Sequence, residues 1–331
     1  MASLKQIAKE MGVSVATVSN VLTGKGRVSE DMSARIKAYA QAIGYKPSVF
    51  ARALKTGQSG VLGLVMPDLT NPLFPRIAQS LSIAAEQRGL GILIGDSRGN
   101  ADRQREAIHW LADRGVDGVL IVPQKGTSPE VPAGLPNVII NTASDPRSAV
   151  AGDHVGGGTL LGRHISELGH THVALLGGDP VSEVQQDRIK GMIAGLGPDV
   201  TCHTIWGDDG LARLCALAAE GVSAVMATSD LLALGAHSRL SQAGVRVPAD
   251  ISLTGFDDLP LALAMHPALT TVAQDMDTIA TYALRILTDR IAQKPDQTQG
   301  VAVPMQLVLR ASTTRAPTPT TTPQPNTEFR T

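Results

Sequence analysis

Ser14, Thr17, Ser19 and Asn20, interleaved with Val15 and Ala16, fall within seven consecutive residues near the N-terminus. Their chemistry suits a surface that reads nucleic acid. Hydroxyls hold phosphate oxygens, a carboxamide pairs with a base edge, and small apolar side chains meet thymine methyls. No other cluster in the sequence carries comparable chemistry. His170 and His172 flank a single residue, but two imidazoles without a cysteine or carboxylate cluster make a poor zinc site, and a structural role is expected. Gly156-Gly-Gly158 precedes a helix, yet it lacks the lysine of a phosphate-binding loop and the spacing of a dinucleotide fingerprint, so it reads as helix packing. No G-x-S-x-G nucleophile motif is present, and neither Cys202 nor Cys215 has the setting of a nucleophile. The expectation is a protein that is not an enzyme and needs no metal or cofactor.

The elements that must position the reading surface are legible. Leu4, Ile7, Ala8 and Met11 recur at helical spacing and stop at Gly12. Ser14 then caps a second helix over Val15–Leu22, with Val18, Val21 and Leu22 turned inward. A third helix follows Val28-Ser29, carries Glu30 and Asp31 in its first turn, buries Met32, Ile36, Tyr39 or Ala40, and Ile43, and ends at Gly44. Two short helices joined by a glycine turn form a helix-turn-helix whose second helix fits a major groove. A plain three-helix bundle with a basic surface fits the same periodicity. The charge distribution favours the first reading. The chain is −1 overall, but its first sixty residues hold nine bases and three acids, a net +6, which leaves the remainder at −7.

Residues 4–22, LKQIAKEMGVSVATVSNVL, followed by Gly44-Tyr-Lys-Pro47, resemble the DNA-binding head of the LacI/GalR family of bacterial transcription regulators. The resemblance implies that Val15, Ala16 and Asn20 set operator preference while Ser14, Thr17 and Ser19 hold backbone phosphates. Pro47-Ser-Val-Phe-Ala-Arg-Ala-Leu-Lys55 resembles the hinge helix of that family. There Ala51, Leu54 and Lys55 would face DNA, with Leu54 wedged into a kinked central step of the minor groove.

From Val61 onward, continuous apolar strands alternate with helices, the pattern of parallel sheets covered on both faces. Strands are expected at 61–66, 91–94, 118–122 and 138–140, and in a second series at 172–176, 224–227 and 251–254. Helices are expected at 74–88, 102–114, 186–196, 210–220 and 230–243. Two such halves place a ligand cleft at the carboxyl ends of their strands. Pro67-Asp-Leu-Thr-Asn-Pro72, Leu168-Gly-His170, Ser229-Asp230, Gly255-Phe-Asp257 and Pro267-Ala-Leu-Thr-Thr-Val-Ala-Gln-Asp275 extend the resemblance over this body.

It implies an all-α helix-turn-helix head plus an α/β two-lobed periplasmic-binding-protein-like effector domain. The expected boundaries are 1–46 for the head, 47–57 for the hinge helix and 60–314 for the effector-binding and dimerisation domain. Lobe 1 would take about 60–152 and 275–300, and lobe 2 about 153–274 and 301–314. Residues 315–331, with four prolines among threonines, are expected to be a disordered tail. The resemblance places Arg188 and Asp257 against the effector, where a forked donor set and a carboxylate suit a sugar's hydroxyls. Asn71, Leu73, Phe74, Thr142, Ser182, Val184, Asp209 and Ser229 are expected around them. Trp206 is expected to pack rather than stack on a ligand.

Composition bounds the rest. The chain has 331 residues, 43% of them hydrophobic and 18% charged, which excludes wholesale disorder. No apolar run reaches the length of a membrane span, the N-terminus lacks a secretory core, and two cysteines exclude a disulfide framework. A cytoplasmic protein is expected. The resemblance implies a ligand-responsive repressor, released from a palindromic double-stranded DNA operator by a small polar effector, a sugar or sugar derivative. It would act as a homodimer, with a tetramer as the larger assembly. The alternatives are a regulator with a nucleobase or other non-sugar corepressor, and a cytoplasmic solute-binding protein.

Overall fold

The computed structural model describes residues 3–22, 28–45, 58–295 and 300–317. The chain divides into two compact units, Met1–Gly60 and Val61–Thr331. The hinge residues Ala51, Leu54 and Lys55, and all but the first three residues of the expected tail, lie outside the described residues.

The first unit holds α1 (Leu4–Met11), α2 (Val15–Leu22) and α3 (Glu30–Ala42). Ser3 caps α1 by accepting the Gln6 N–H, and Gly12 ends it in the left-handed conformation at φ 65°. The Ser14 hydroxyl oxygen accepts the Thr17 N–H at 3.0 Å and so starts α2. The three helices close over Ile7, Ala8, Val18, Val21, Ile36 and Ala40. Leu22, Met32, Tyr39 and Ile43 pack around that centre.

The second unit opens with a six-stranded parallel sheet. Its strands are β1 (Val61–Met66), β2 (Gly91–Asp96), β3 (Val119–Ile121), β4 (Asn137–Thr142), β5 (Ser148–Gly152) and β11 (Val301–Val303). They run in the order β11-β5-β4-β3-β1-β2. Helices α4 (Leu73–Glu86) and α11 (Met276–Ile291) bury Ile77, Leu81, Ile279 and Leu287 with Leu62, Leu64 and Leu120. Helix α5 (Ala101–Asp113) buries Ile108 and Leu111 with Val65 and Ile121. Such cover on both faces is why β1 and β3 read as unbroken apolar runs. β2 differs because it is the edge strand, with Leu93 and Ile94 exposed.

A second parallel sheet follows, in the order β7-β6-β8-β9. It comprises β6 (His172–Gly177), β7 (Thr201–Trp206), β8 (Ala224–Ala227) and β9 (Ser252–Thr254). One face carries α6 (His154–Glu167) and α7 (Glu183–Leu196); the other carries α8 (Gly207–Ala219) and α9 (Asp230–Gln242), with α10 (Pro260–Ala264) joining the same core. Two antiparallel strands, β10 (Thr271–Gln274) and β12 (Met305–Val308), run between the lobes. The return to lobe 2 comes at Pro304 rather than near residue 301, because Val301–Val303 is recruited as an edge strand parallel to Val150–Gly152. The chain end described here is tied down: the Ala316 N–H donates to the Leu168 carbonyl at 2.9 Å, and His170 meets the Thr314 carbonyl at 3.0 Å. These bonds and one to the Ser223 hydroxyl at 2.8 Å give His170 a structural role.

The glycine run pairs α6 with α7. A Cβ on Gly158 would collide with the Arg188 carbonyl oxygen, and one on Gly162 with that of Met192. Gly191 and Gly195 face the Val155 and Thr159 carbonyls in the same way. The two helices therefore touch backbone to backbone, and that contact sets the height of Arg188 on α7. Gly158→Ala is expected to cost about 1–3 kcal/mol through overpacking and to push Arg188 away from its partners. A thermal melt and a ligand-dependent thermal shift check both effects.

Candidate functional site

A cavity of about 280 Å³ lies between the two lobes of the second unit, just under the usual range for small-molecule sites. Eight of the ten residues expected around a ligand line it: Asn71, Leu73, Phe74, Ser182, Val184, Arg188, Ser229 and Asp257. Three of these sit where helices begin. The Asn71 side-chain oxygen accepts the Leu73 N–H at 3.1 Å at the start of α4. Ser182 caps α7 through Gln185, and Ser229 caps α9 through the Leu232 N–H at 3.2 Å. Three helix N-termini thus turn their positive ends toward the cavity, which favours electron-rich oxygens there.

Arg188 and Asp257 form the centre. They pair at 2.8 Å, with side chains only 4% and 3% exposed. Arg188 also donates to the Thr228 carbonyl at 2.6 Å and to His154 Nδ1 at 3.3 Å, and its guanidinium lies 4.0 Å from the centre of the Phe256 ring. The protein thereby takes three of its five N–H groups. Asp257 Oδ1 accepts a second bond from Gln274 Nε2 at 2.7 Å. Burial pushes the Asp257 carboxyl up, against the pull of Arg188 in the other direction. Burial, with the Arg188 charge alongside, holds His154 neutral, well below the ordinary histidine range. Its Nδ1 is then the acceptor for Arg188. His154 is fixed as the first residue of α6 by Asp153, which accepts the Gly156 N–H at 2.8 Å.

Behind this centre lies Asp230, fully buried, which accepts the Leu259 N–H at 2.7 Å and the Thr271 hydroxyl at 2.6 Å. Burial pushes its carboxyl up to about 7.

Two expected contacts are not on the cavity wall. Thr142 is buried and donates its hydroxyl to Asp187 on α7 across the lobes. Its neighbour Asn141 lines the cavity instead and donates to Glu183 at 2.9 Å. Both side chains reach α7, and the partly exposed Asn141 is the one left at the cavity wall. Asp209 is exposed in the first turn of α8, where its charge complements the helix dipole. Trp206 packs its ring over Gly177 and the lobe 2 core, away from the cavity wall. Sequence reading missed His154, Gln274, Gln185 and Asn141, all of which line the cavity. Their only signal was polarity beside strand ends.

In the first unit, α2 presents Val15, 41% exposed, and Ala16 to solvent, with Thr17, Ser19 and Asn20 partly exposed on the same helix. The Ser14 and Thr17 hydroxyls are hydrogen-bonded to each other at 2.8 Å. The helix that carries the expected base contacts is thus capped by one of the expected phosphate contacts.

Among the described residues no group of three His, Cys, Asp or Glu is placed to hold a metal, and no helix is long and apolar enough to cross a membrane.

Similarity to known proteins extends over both units. The model of bacterial regulatory proteins of the lacI family matches residues 3–48, and the periplasmic binding protein-like domain matches residues 163–313. The chain is 30% identical to the HTH-type transcriptional repressor PurR of Photorhabdus laumondii subsp. laumondii, covering 96% of this chain and 98% of that protein. It is 28% identical to the ribose operon repressor of Halalkalibacterium halodurans, covering 95% and 97%. Among solved structures, the lac repressor dimer bound to operator and an anti-inducer shares the fold with a TM-score of 0.79 at 24% identity, covering 95% of this chain and 99% of that one. A complex of the transcriptional regulator CelR with cellobiose aligns with a TM-score of 0.65 at 26% identity, covering 94% and 100%.

Proposed function

The chain belongs to the LacI family of bacterial regulatory proteins, and on that footing we propose a repressor released from a palindromic operator when a small neutral sugar occupies the cavity. The family's members are DNA-binding transcription regulators rather than enzymes, and this chain is a ligand-responsive DNA-binding regulator of that kind. The finer reading, a neutral sugar acting by release, is carried by the buried Arg188–Asp257 pair. Its charge is already balanced inside the protein. Among the charged side chains that line the cavity, Asp68, Glu183 and Asp257 stand against Lys125 and Arg188, so no cationic surplus awaits a phosphate or carboxylate. The remaining guanidinium donors and the neighbouring amide side chains suit hydroxyl groups. The relatives named for ribose and cellobiose are in keeping with this choice.

Two copies of the chain would act together on the two halves of the operator. The exposed apolar side chains Ile83 on α4 and Leu93 and Ile94 on the edge strand β2 support a pairing surface on lobe 1. Ligand binding would then shift the balance between two arrangements of the lobes, and through it DNA affinity, by its differential affinity for the two.

A thermal-shift screen of the intact chain tests the effector class. Neutral monosaccharides are expected to raise the melting temperature, since a ligand at a hundred times its Kd adds about 2.7 kcal/mol. Stabilisation by purine bases or by sugar phosphates alone would overturn the neutral-sugar reading.

A further inference from the structure

The residue that pairs with Arg188 stands on strained backbone. Asp257 adopts φ 103°, outside the regions that L residues favour, and Asp258 follows in the left-handed region at φ 47°, which aspartate enters more readily than most residues. Something must hold the turn there. Within lobe 2, the Asp257 N–H donates to the Val272 carbonyl at 2.8 Å, and the Asp258 carboxylate accepts Arg310 at 2.6 Å. The Asp258 N–H also donates to Thr271 Oγ1 at 3.4 Å within lobe 2, and a further hold comes from the other lobe. Arg76 Nη1 donates to the Asp258 carbonyl at 2.7 Å and to the Asp257 carbonyl at 3.2 Å. Arg76 belongs to α4, two residues beyond Phe74, which lines the cavity. One side chain thus ties the cavity-lining helix of lobe 1 to the peptide groups that carry the Asp257 carboxylate. Its charge also acts on that carboxylate, opposing the penalty of burial.

We propose that Arg76 is a positioning residue for the effector site, holding the strained Asp257–Asp258 turn so that Asp257 faces Arg188 only while the two lobes are together. The arrangement links closure of the lobes to assembly of the ligand-binding pair. With the lobes apart, the two carbonyls lose their donor and the turn relaxes, taking the carboxylate out of register with Arg188 and Gln274. Lysine retains a cation with several donors and would keep part of the link; methionine keeps the length and loses it. The inference rests on the cavity being the effector site, but its consequences appear without any ligand, so its failure is separable from failure of the neutral-sugar reading.

Two measurements on the intact chain test it. The first follows the Arg188 Nε–H signal by nuclear magnetic resonance, assigned by its loss in Arg188→Lys. Arg76→Met is expected to shift this signal and to speed its exchange with solvent roughly tenfold, and Arg76→Lys to restore most of the wild-type behaviour. The second measures the distance between spin labels on exposed positions of the two lobes, Arg103→Cys and Asp208→Cys, with Cys202 and Cys215 replaced by serine. The labelled chain is diluted with unlabelled chain. Arg76→Met is expected to broaden the distribution toward longer distances, with Arg76→Lys between it and the wild type. If Arg76→Met does not fold, Arg76→Gln is read in the same way. An unchanged Arg188 signal or an unchanged distance distribution in a folded variant would overturn the proposal.

Discussion

Replacing Asp257 with alanine is expected to lower the stability of the effector-binding unit by about 3–5 kcal/mol and to abolish its stabilisation by small ligands. The cause is local. Arg188 is buried to within a few per cent, and among the described residues its one carboxylate partner is Asp257. Removing that partner leaves a full positive charge facing the Thr228 carbonyl, a neutral imidazole and an aromatic face. These soften the penalty without cancelling it, and Gln274 loses its acceptor as well. At about 2–4 °C per kcal/mol for a unit of this size, the melting temperature should fall by roughly 10 °C. Replacing both partners with apolar residues, Arg188→Met with Asp257→Leu, is expected to recover most of the stability and none of the ligand response. That pair of results separates the ionic bond's role in folding from its role in recognition. Circular dichroism melts with and without the stabilising sugar read both. An Asp257→Ala protein that melts with the wild type would show that the pair is not formed.

Ile36→Ala is expected to destroy DNA binding while leaving the effector unit's melting temperature and ligand response unchanged. Ile36 is fully buried at the centre of the three-helix unit, beside Ile7 and Val18. A large-to-small change of this kind costs about 2–5 kcal/mol. Among the described residues the core holds six buried side chains with a partly buried fringe, and small domains have little stability to spare. Each 1.4 kcal/mol by which unfolding exceeds folding costs about tenfold in apparent affinity, so α2 is lost as a reading surface. The effector unit has its own cores and should not register the change. Val15→Ala, on the exposed face of the same helix, should leave the head folded. Anisotropy titrations on a selected duplex and ligand-dependent melts report the two units separately.

The head was legible because its determinants are local. Gly12 ends one helix, Ser14 starts the next, and Val18 and Val21 fall on one face. The apolar strands of the body were equally plain wherever both faces are covered, as at β1 and β3. β7 was harder to read, since Thr201, His203 and Thr204 interrupt its apolar pattern on an edge strand. Residues 275–300 were placed in lobe 1 with no element assigned, and α11 fills most of that span, its apolar side packed on the first sheet.

The cavity was legible in part. Arg188 and Asp257 came from resemblance, and the structure adds that they bind each other. Asn141 and Thr142 both bond to α7, and which of them is left at the cavity is settled only by that tertiary packing. His154 and Gln274 reach the site through contacts made only after the lobes fold, 34 and 17 residues from their partners. Arg76 is more remote still, 182 residues from the carbonyl it holds. Sequence spacing carries no trace of such pairs.

The most direct test of the regulator is a titration of the intact chain on a palindromic duplex obtained by in vitro selection, followed by anisotropy across a series of salt concentrations with and without the stabilising ligand. A basic reading head predicts that the logarithm of affinity falls linearly with the logarithm of salt, with a slope set by several phosphate contacts. It further predicts that the ligand lowers affinity at any fixed salt. Failure to enrich a duplex, or an affinity indifferent to both salt and ligand, would contradict a repressor that reads DNA and answers to a small molecule.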